Sequence, residues 1–148
     1  MIRPEYVPDL FPHWSTIPIR FRDLDPLNHV NNAIFSTYYE EARIDFIRQV
    51  PVLKQQIRSE YSFVLVNLHI DFIKPAEYPG ELLVGSGIKS IGNTSITSFQ
   101  AIFHSGSKAL VSVAEASGVW FNLEKQRPSR IPHFEGQDKF ILDATLFE

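Results

Sequence analysis

The sequence predicts an α+β fold, and three observations carry that prediction. Residues 33–50 repeat apolar side chains at helical spacing. After them the period changes to that of strands, and the strand-like runs are separated by hairpin punctuation. One helix followed by a meander of long antiparallel strands packs most economically as a curved sheet wrapped around the helix. Such a sheet leaves an edge strand and a broad apolar surface, so pairing with a second copy is expected.

Residues 1–16 hold three prolines among mixed aromatics and read as an arm lying over the domain. Ile17 to Arg22 alternates apolar and polar residues and reads as the first strand. From Ala33 to Val50, Phe35, Tyr39, Ala42, Phe46 and Val50 recur every three or four residues, widened by Ile34, Tyr38 and Ile47; Thr37, Arg43 and Arg48 fall off this stripe. Asn31 or Asn32 supplies the N-cap, and Pro51 opposes continuation past Val50. Val64, Val66, Leu68, Ile70 and Phe72 then occupy one face of a long strand, with Asn67, His69 and Asp71 on the other. Lys74 to Gly80 is a turn or bulge. Strands follow over 81–89, 94–104 and 109–121, joined by Ile91-Gly92-Asn93 and Ser105-Gly106-Ser107-Lys108. In the tail, Phe140 to Leu146 reads as a short helix or strand. The expected layout is one domain over 1–148, with its core at 17–122 and a tail at 123–148.

Composition narrows the function classes. Of 148 residues, 44% are hydrophobic and 21% charged, as in a globular chain with a real core. A formal charge of −3 gives no global pull toward nucleic acid or an anionic membrane, and neither partner is expected. The absence of cysteine removes disulfides, a thiolate nucleophile and a thiolate-bound zinc together. His69 and Asp71 share a strand face but lack a third ligand, so no metal site is expected. The start of the chain has no apolar signal core, and the expected location is the cytoplasm.

The chemistry concentrates between Phe21 and Asn32. This polar loop holds Asp23, Asp25, His29 and three asparagines, and it opens directly into the helix. The first N–H groups of a helix have no partner within it and suit a developing oxyanion. A carboxylate just upstream then faces the same carbonyl, which is the skeleton of acyl transfer. Each residue also has a plainer reading. Asp25 can close a turn before Pro26. Asp23 suits a pairing with Arg20, Arg22 or a backbone turn. His29 is either a loop histidine bonded to backbone or a group that orients Asp25 or meets the leaving thiolate. Glu40 and Glu41, on the helix, are rival carboxylates, with solvation or pairing to Arg43 as the simpler role.

The run Phe21-Arg-Asp-Leu-Asp-Pro-Leu-Asn-His-Val-Asn-Asn-Ala33, followed by Tyr39-Glu-Glu-Ala-Arg43, resembles the hotdog-fold acyl-CoA thioesterases of the 4-hydroxybenzoyl-CoA thioesterase type. The likeness continues through His69-Ile-Asp-Phe-Ile-Lys-Pro75, covers residues 17–122, and returns weakly at 127–132. It implies a hotdog fold and a homodimer or homotetramer with its site between subunits. It also implies hydrolysis of an acyl-CoA thioester to free acid and coenzyme A without a metal or redox cofactor. Carried over by position, Asp25 is the nucleophile or general base, the Asn32 backbone N–H is the oxyanion donor, and His29 matches a histidine of many members. Asn28, Asn31 and Phe35 are expected to contact substrate. Asn28 stands where the family commonly has glycine; asparagine tolerates a left-handed backbone, and its side chain bears on substrate preference. Lys74, Lys89, Lys108, Arg127 and Arg130 are candidates for the phosphates of coenzyme A.

Two rival readings share the scaffold. Asn28-His-Val-Asn-Asn32 is also reminiscent of plant-type acyl-carrier-protein (acyl-ACP) thioesterases, although those carry an asparagine where this chain has Leu27. A non-catalytic module that binds acyl thioesters is the alternative outside enzymes, and it ordinarily needs an output domain.

Overall fold

The computed structural model describes residues 1–56 and 60–148. Strands β1 (His13–Pro18), β2 (Tyr61–Phe72), β3 (Glu81–Ile91), β4 (Ser95–His104) and β5 (Leu110–Asn122) form one antiparallel sheet in the order β1-β3-β4-β5-β2. The two-residue β6 (Arg127–Pro128) pairs with the end of β5. The sheet curls around helix α1 (Asn32–Ile47), which gives the hotdog fold of an α+β protein. A short helix α2 (Pro51–Gln56) follows.

The apolar stripe of α1 behaves as its spacing requires: Phe35, Tyr39, Ala42 and Phe46 are buried, with Tyr38 beside them. Phe35, Tyr38, Tyr39 and Ala42 meet Leu82 and Val84 of β3, Ile102 of β4 and Ala114 of β5, whereas Phe46 packs with Ile88 of β3 and Trp120 of β5. The helix stops at Ile47, short of the expected Val50, though Val50 is still buried. Pro51 ends one helix and opens the next, because a first helical position needs no N–H and favours the fixed proline φ.

The first strand lies earlier than its alternation suggests, at His13–Pro18 instead of 17–22. Phe21 to Asp23 instead forms a 3₁₀ turn. Asp23 causes the difference: its carboxylate accepts hydrogen bonds from the Arg20 backbone N–H and guanidinium, which folds the chain back on itself. The arm ahead of β1 does lie over the domain, on the face of the sheet opposite α1. There Ile2, Tyr6, Leu10 and Phe11 pack with Phe99, Ala101, Phe103 and Val113. Leu142 and Phe147 join them from the other end of the chain. The tail makes 3₁₀ turns at Gln137–Phe140 and Ala144–Phe147 in place of a single short element.

Two glycines make this outer covering possible. A Cβ at Gly85 would collide with the ring of Phe11, and one at Gly87 would lie 2.6 Å from Leu142 Cγ. Each glycine is a hollow in β3 that one end of the chain fills.

Strand β2 departs from simple alternation. Its pairing with β5 shifts register between Leu65 and Asn67, so Val66 is an extra, bulged residue. A bulge exchanges the faces on its two sides. Phe63 packs against Trp120, while Leu68 and Ile70 pack against the helix-side core. Val64 and Val66 are therefore not partners of Leu68 and Ile70, as strict alternation would have them; both are exposed.

Candidate active site

The loop between the 3₁₀ turn and α1 is pinned at both ends by Asp23. Its side chain is 1% exposed and accepts from the Arg20 guanidinium at 2.8 Å and from the Tyr38 hydroxyl at 2.6 Å. Burial opposes the charged form, but the bonds from Arg20 and Tyr38 outweigh it and hold the carboxyl below the usual range. Burial first, then bonding to this carboxylate, pushes the Tyr38 phenol up. The Asp23 carbonyl accepts from Asn31 N–H at 2.9 Å, just before the helix. Asp23 thus has the Arg20 pairing its position suggests, with Tyr38 as a second partner that the helical stripe concealed.

Within the loop, Asp25 forms an Asx turn. Its Oδ1 accepts from Leu27 N–H at 2.9 Å and from His29 N–H at 3.1 Å. Asp25 N–H donates to the His29 carbonyl at 2.8 Å, and Asn28 crosses the tip with φ 63°. The plain turn-closing role and a chemical one are compatible here. One carboxylate oxygen anchors the loop; among the described residues the other, Oδ2, has no hydrogen-bond partner. The His29 ring has its Nε2 3.5 Å from Glu77 Oε1.

At the helix start, Asn31 is the N-cap, its Oδ1 accepting from Ala33 N–H at 2.9 Å. Ile34 N–H is taken by the Asn31 carbonyl. That leaves Asn32 N–H, which has no acceptor among the described residues. Orphan donors at a helix start carry the positive end of its dipole.

These features meet in one cleft of about 240 Å³, lined by Asp25, His29, Asn32, Phe35, Phe72 and Lys74 among others. Phe72, at the end of β2, packs edge-on against Phe35 at 5.3 Å between ring centroids. Val30 N–H donates to the Ala76 carbonyl and ties the loop to the turn after β2. Of the expected site residues, Asp25, His29, Asn32 and Phe35 converge on this cleft; Asn28 and Asn31 build the backbone around it. The Phe72 wall is an addition that no local pattern announces. Of the lysines and arginines considered for phosphate, Lys74 is at the cleft, whereas Lys89 pairs with Glu115 on the outer face. Glu40 and Glu41 are exposed on α1 and do not line this cleft, and Arg43 bonds Gln100 of β4 in preference to either. The His69 ring is 3.1 Å from Asp71, a pairing along the strand face. Among the described residues, no helix is long and apolar enough to cross a membrane.

Comparison with known proteins follows the same lines. The chain is 26% identical over 121 residues to the acyl-acyl carrier protein thioesterase ATL2 of Arabidopsis thaliana chloroplasts. That match takes in 81% of this chain but 64% of the relative, under two thirds of its length. It is 28% identical over 113 residues to the long-chain acyl-CoA thioesterase FadM of Escherichia coli, with 76% and 86% covered. A Thermus thermophilus thioesterase crystallised with coenzyme A and Zn superposes with a TM-score of 0.73 at 28% identity, over 88% of this chain and 93% of that one. The profile of the thioesterase-like superfamily matches residues 19–143, from just before the pinned loop to beyond the last strand, and the chain belongs to that superfamily.

Proposed function

We propose that this protein is an acyl-CoA thioesterase of the 4-hydroxybenzoyl-CoA thioesterase type, acting with Asp25 and the Asn32 amide. One observation carries the reading. A carboxylate with one oxygen free and a helix-start N–H without an acceptor, both among the described residues, border the same cleft. In this mechanism Asn32 N–H donates to the thioester oxygen as negative charge develops on it. Asp25 Oδ2 either attacks the carbonyl carbon or takes a proton from the attacking water. The C–S bond breaks and coenzyme A leaves as thiolate and takes up a proton; on the water route the free acid is then formed, and on the nucleophilic route water hydrolyses the acyl–Asp25 anhydride to release the acid and restore the carboxylate. Lys74 at the cleft rim suits a phosphate of coenzyme A.

The reading includes a homodimer or homotetramer. Its support is β2, which ends the sheet order and carries exposed Val64, Leu65 and Val66 along an unpaired edge.

The likeness to ATL2 favours a second reading, in which the acyl group is borne by a carrier protein. Turnover of one acyl group on each carrier separates the two.

The test is thiol release from a panel of acyl-CoA esters by the unaltered chain and Asp25→Asn. Asparagine still offers an oxygen to Leu27 and His29, so the loop keeps its turn while the charge is lost. Turnover is expected to fall by about two to four orders of magnitude, with melting temperature nearly unchanged. Turnover near the parental rate in that variant rejects the assignment.

A further inference from the structure

A larger cavity, of about 560 Å³, lies against the second half of α1. Its walls are apolar: Phe46, Val50 and Leu53 from the helical side, Phe63 and Leu65 from β2, and Ile88 from β3. Of the charged residues on the lining, Glu40, Arg48 and Lys54 are exposed and Arg43 is set inward. Arg43 is half-buried on the cavity wall, and its Nη1 donates to Gln100 Oε1 at 3.3 Å. Burial draws this guanidinium below its usual range, with the Glu40 charge opposing the change.

A guanidinium carries five N–H donors in a fixed fork. Among the described residues, Arg43 uses one of them and no carboxylate pairs with it. Arg48 and Lys54 line the same cavity, against the single carboxylate of Glu40. A plain hydrocarbon filling this space would exclude water and leave the Arg43 donors unmet, which is costly. The chemistry that satisfies both wall and fork is an aliphatic chain ending in a carboxylate, which binds a guanidinium through two parallel hydrogen bonds.

We propose that this cavity binds an acyl chain whose far end is a carboxylate held by Arg43, so that the preferred ligand is the half-thioester of a dicarboxylic acid. The near end of the chain rests on the thioesterase reading above; the far end rests on Arg43 and the cavity alone. Arg43 is then a specificity-determining residue without a part in bond breaking.

The experiment pairs two ligands of equal length. Binding of monomethyl decanedioate and methyl decanoate, whose ester ends stand in for the thioester, is measured on the full chain by calorimetry, and hydrolysis of decanedioyl-CoA and decanoyl-CoA by thiol release. The carboxylate-ended member is expected to be favoured by about tenfold or more in each assay, the size of a buried bond to a charged group. In Arg43→Met the ratio is expected to fall to near one, and Arg43→Lys to recover part of it. Equal binding of the two methyl esters by the unaltered chain overturns the inference, as does a ratio that Arg43→Met leaves intact. Comparing the two ligands on the unaltered chain needs no variant, so it stays decisive if Arg43→Met fails to fold. Arg43-dependent binding of monomethyl decanedioate without hydrolysis of either thioester would reject the enzyme reading and sustain this one.

Discussion

The Tyr38 hydroxyl lies 2.6 Å from Asp23 Oδ2 and joins the second turn of α1 to the loop that precedes it. The two residues are fifteen apart in sequence, and both are buried. Since the Asp23 backbone also holds Asn31, this one bond couples the helix start, with its free Asn32 amide, to the rest of the loop. Removing it in Tyr38→Phe leaves Asp23 its Arg20 partner, so the fold should survive at a cost of about 1–3 kcal/mol. Turnover should fall about tenfold through misplacement of the loop. Denaturant unfolding and steady-state kinetics on one preparation check both, and unchanged turnover would remove Asp23 and Tyr38 from positioning the site.

Acid should find the same pair. The Asp23 carboxyl is held below its ordinary value in the folded chain, so its contribution is complete above the unfolded carboxylate pKa near 3.9 and is lost as pH falls through the lower folded value. The unaltered protein should be more stable than Asp23→Asn at neutral pH, with the gap narrowing below about pH 4. Urea midpoints of both proteins across that range provide the measurement. A gap that stays constant would assign acid sensitivity to other carboxylates.

Asn28 sits at φ 63°, where most side chains are strained. Glycine there should change stability by less than about 1 kcal/mol, whereas valine should cost about 1–2 kcal/mol. Thermal denaturation of Asn28→Gly and Asn28→Val checks the order. If valine is tolerated as well as glycine, the left-handed turn is not what position 28 selects.

On the opposite face of the sheet, Gly87→Ala should push against Leu142 and cost about 1–3 kcal/mol. The companion Leu142→Ala opens room for the new methyl. The double variant should therefore lose less than the sum of the two single changes, as measured by unfolding midpoints.

Much of this architecture can be read from residue order. Helix α1 follows its apolar spacing, and the hairpins fall at Gly92 and near Gly106. Asp25, His29 and Asn32 come together because they lie within one short loop, where sequence neighbours are also spatial neighbours. Three features escape. The Val66 bulge is an extra residue with no distinctive chemistry, so alternation runs across it unbroken in sequence while the faces exchange in space. Phe72 reaches the cleft from a strand 37 residues beyond Phe35, a distance only tertiary folding closes. Arg43 looks like a solvated charge, yet it follows Tyr39 by four residues and precedes Phe46 by three, spacing that places it toward the sheet.

The hollows at Gly85 and Gly87 also bear on how the molecule matures. They sit two residues apart on β3 and receive Phe11 and Leu142, wedges from segments before and after the strands of the sheet. During synthesis the sheet can pair and the helix can dock while Leu142 is still unmade. Its outer face then stays apolar and half-roofed until Leu142 emerges, and that interval leaves a nascent copy open to aggregation.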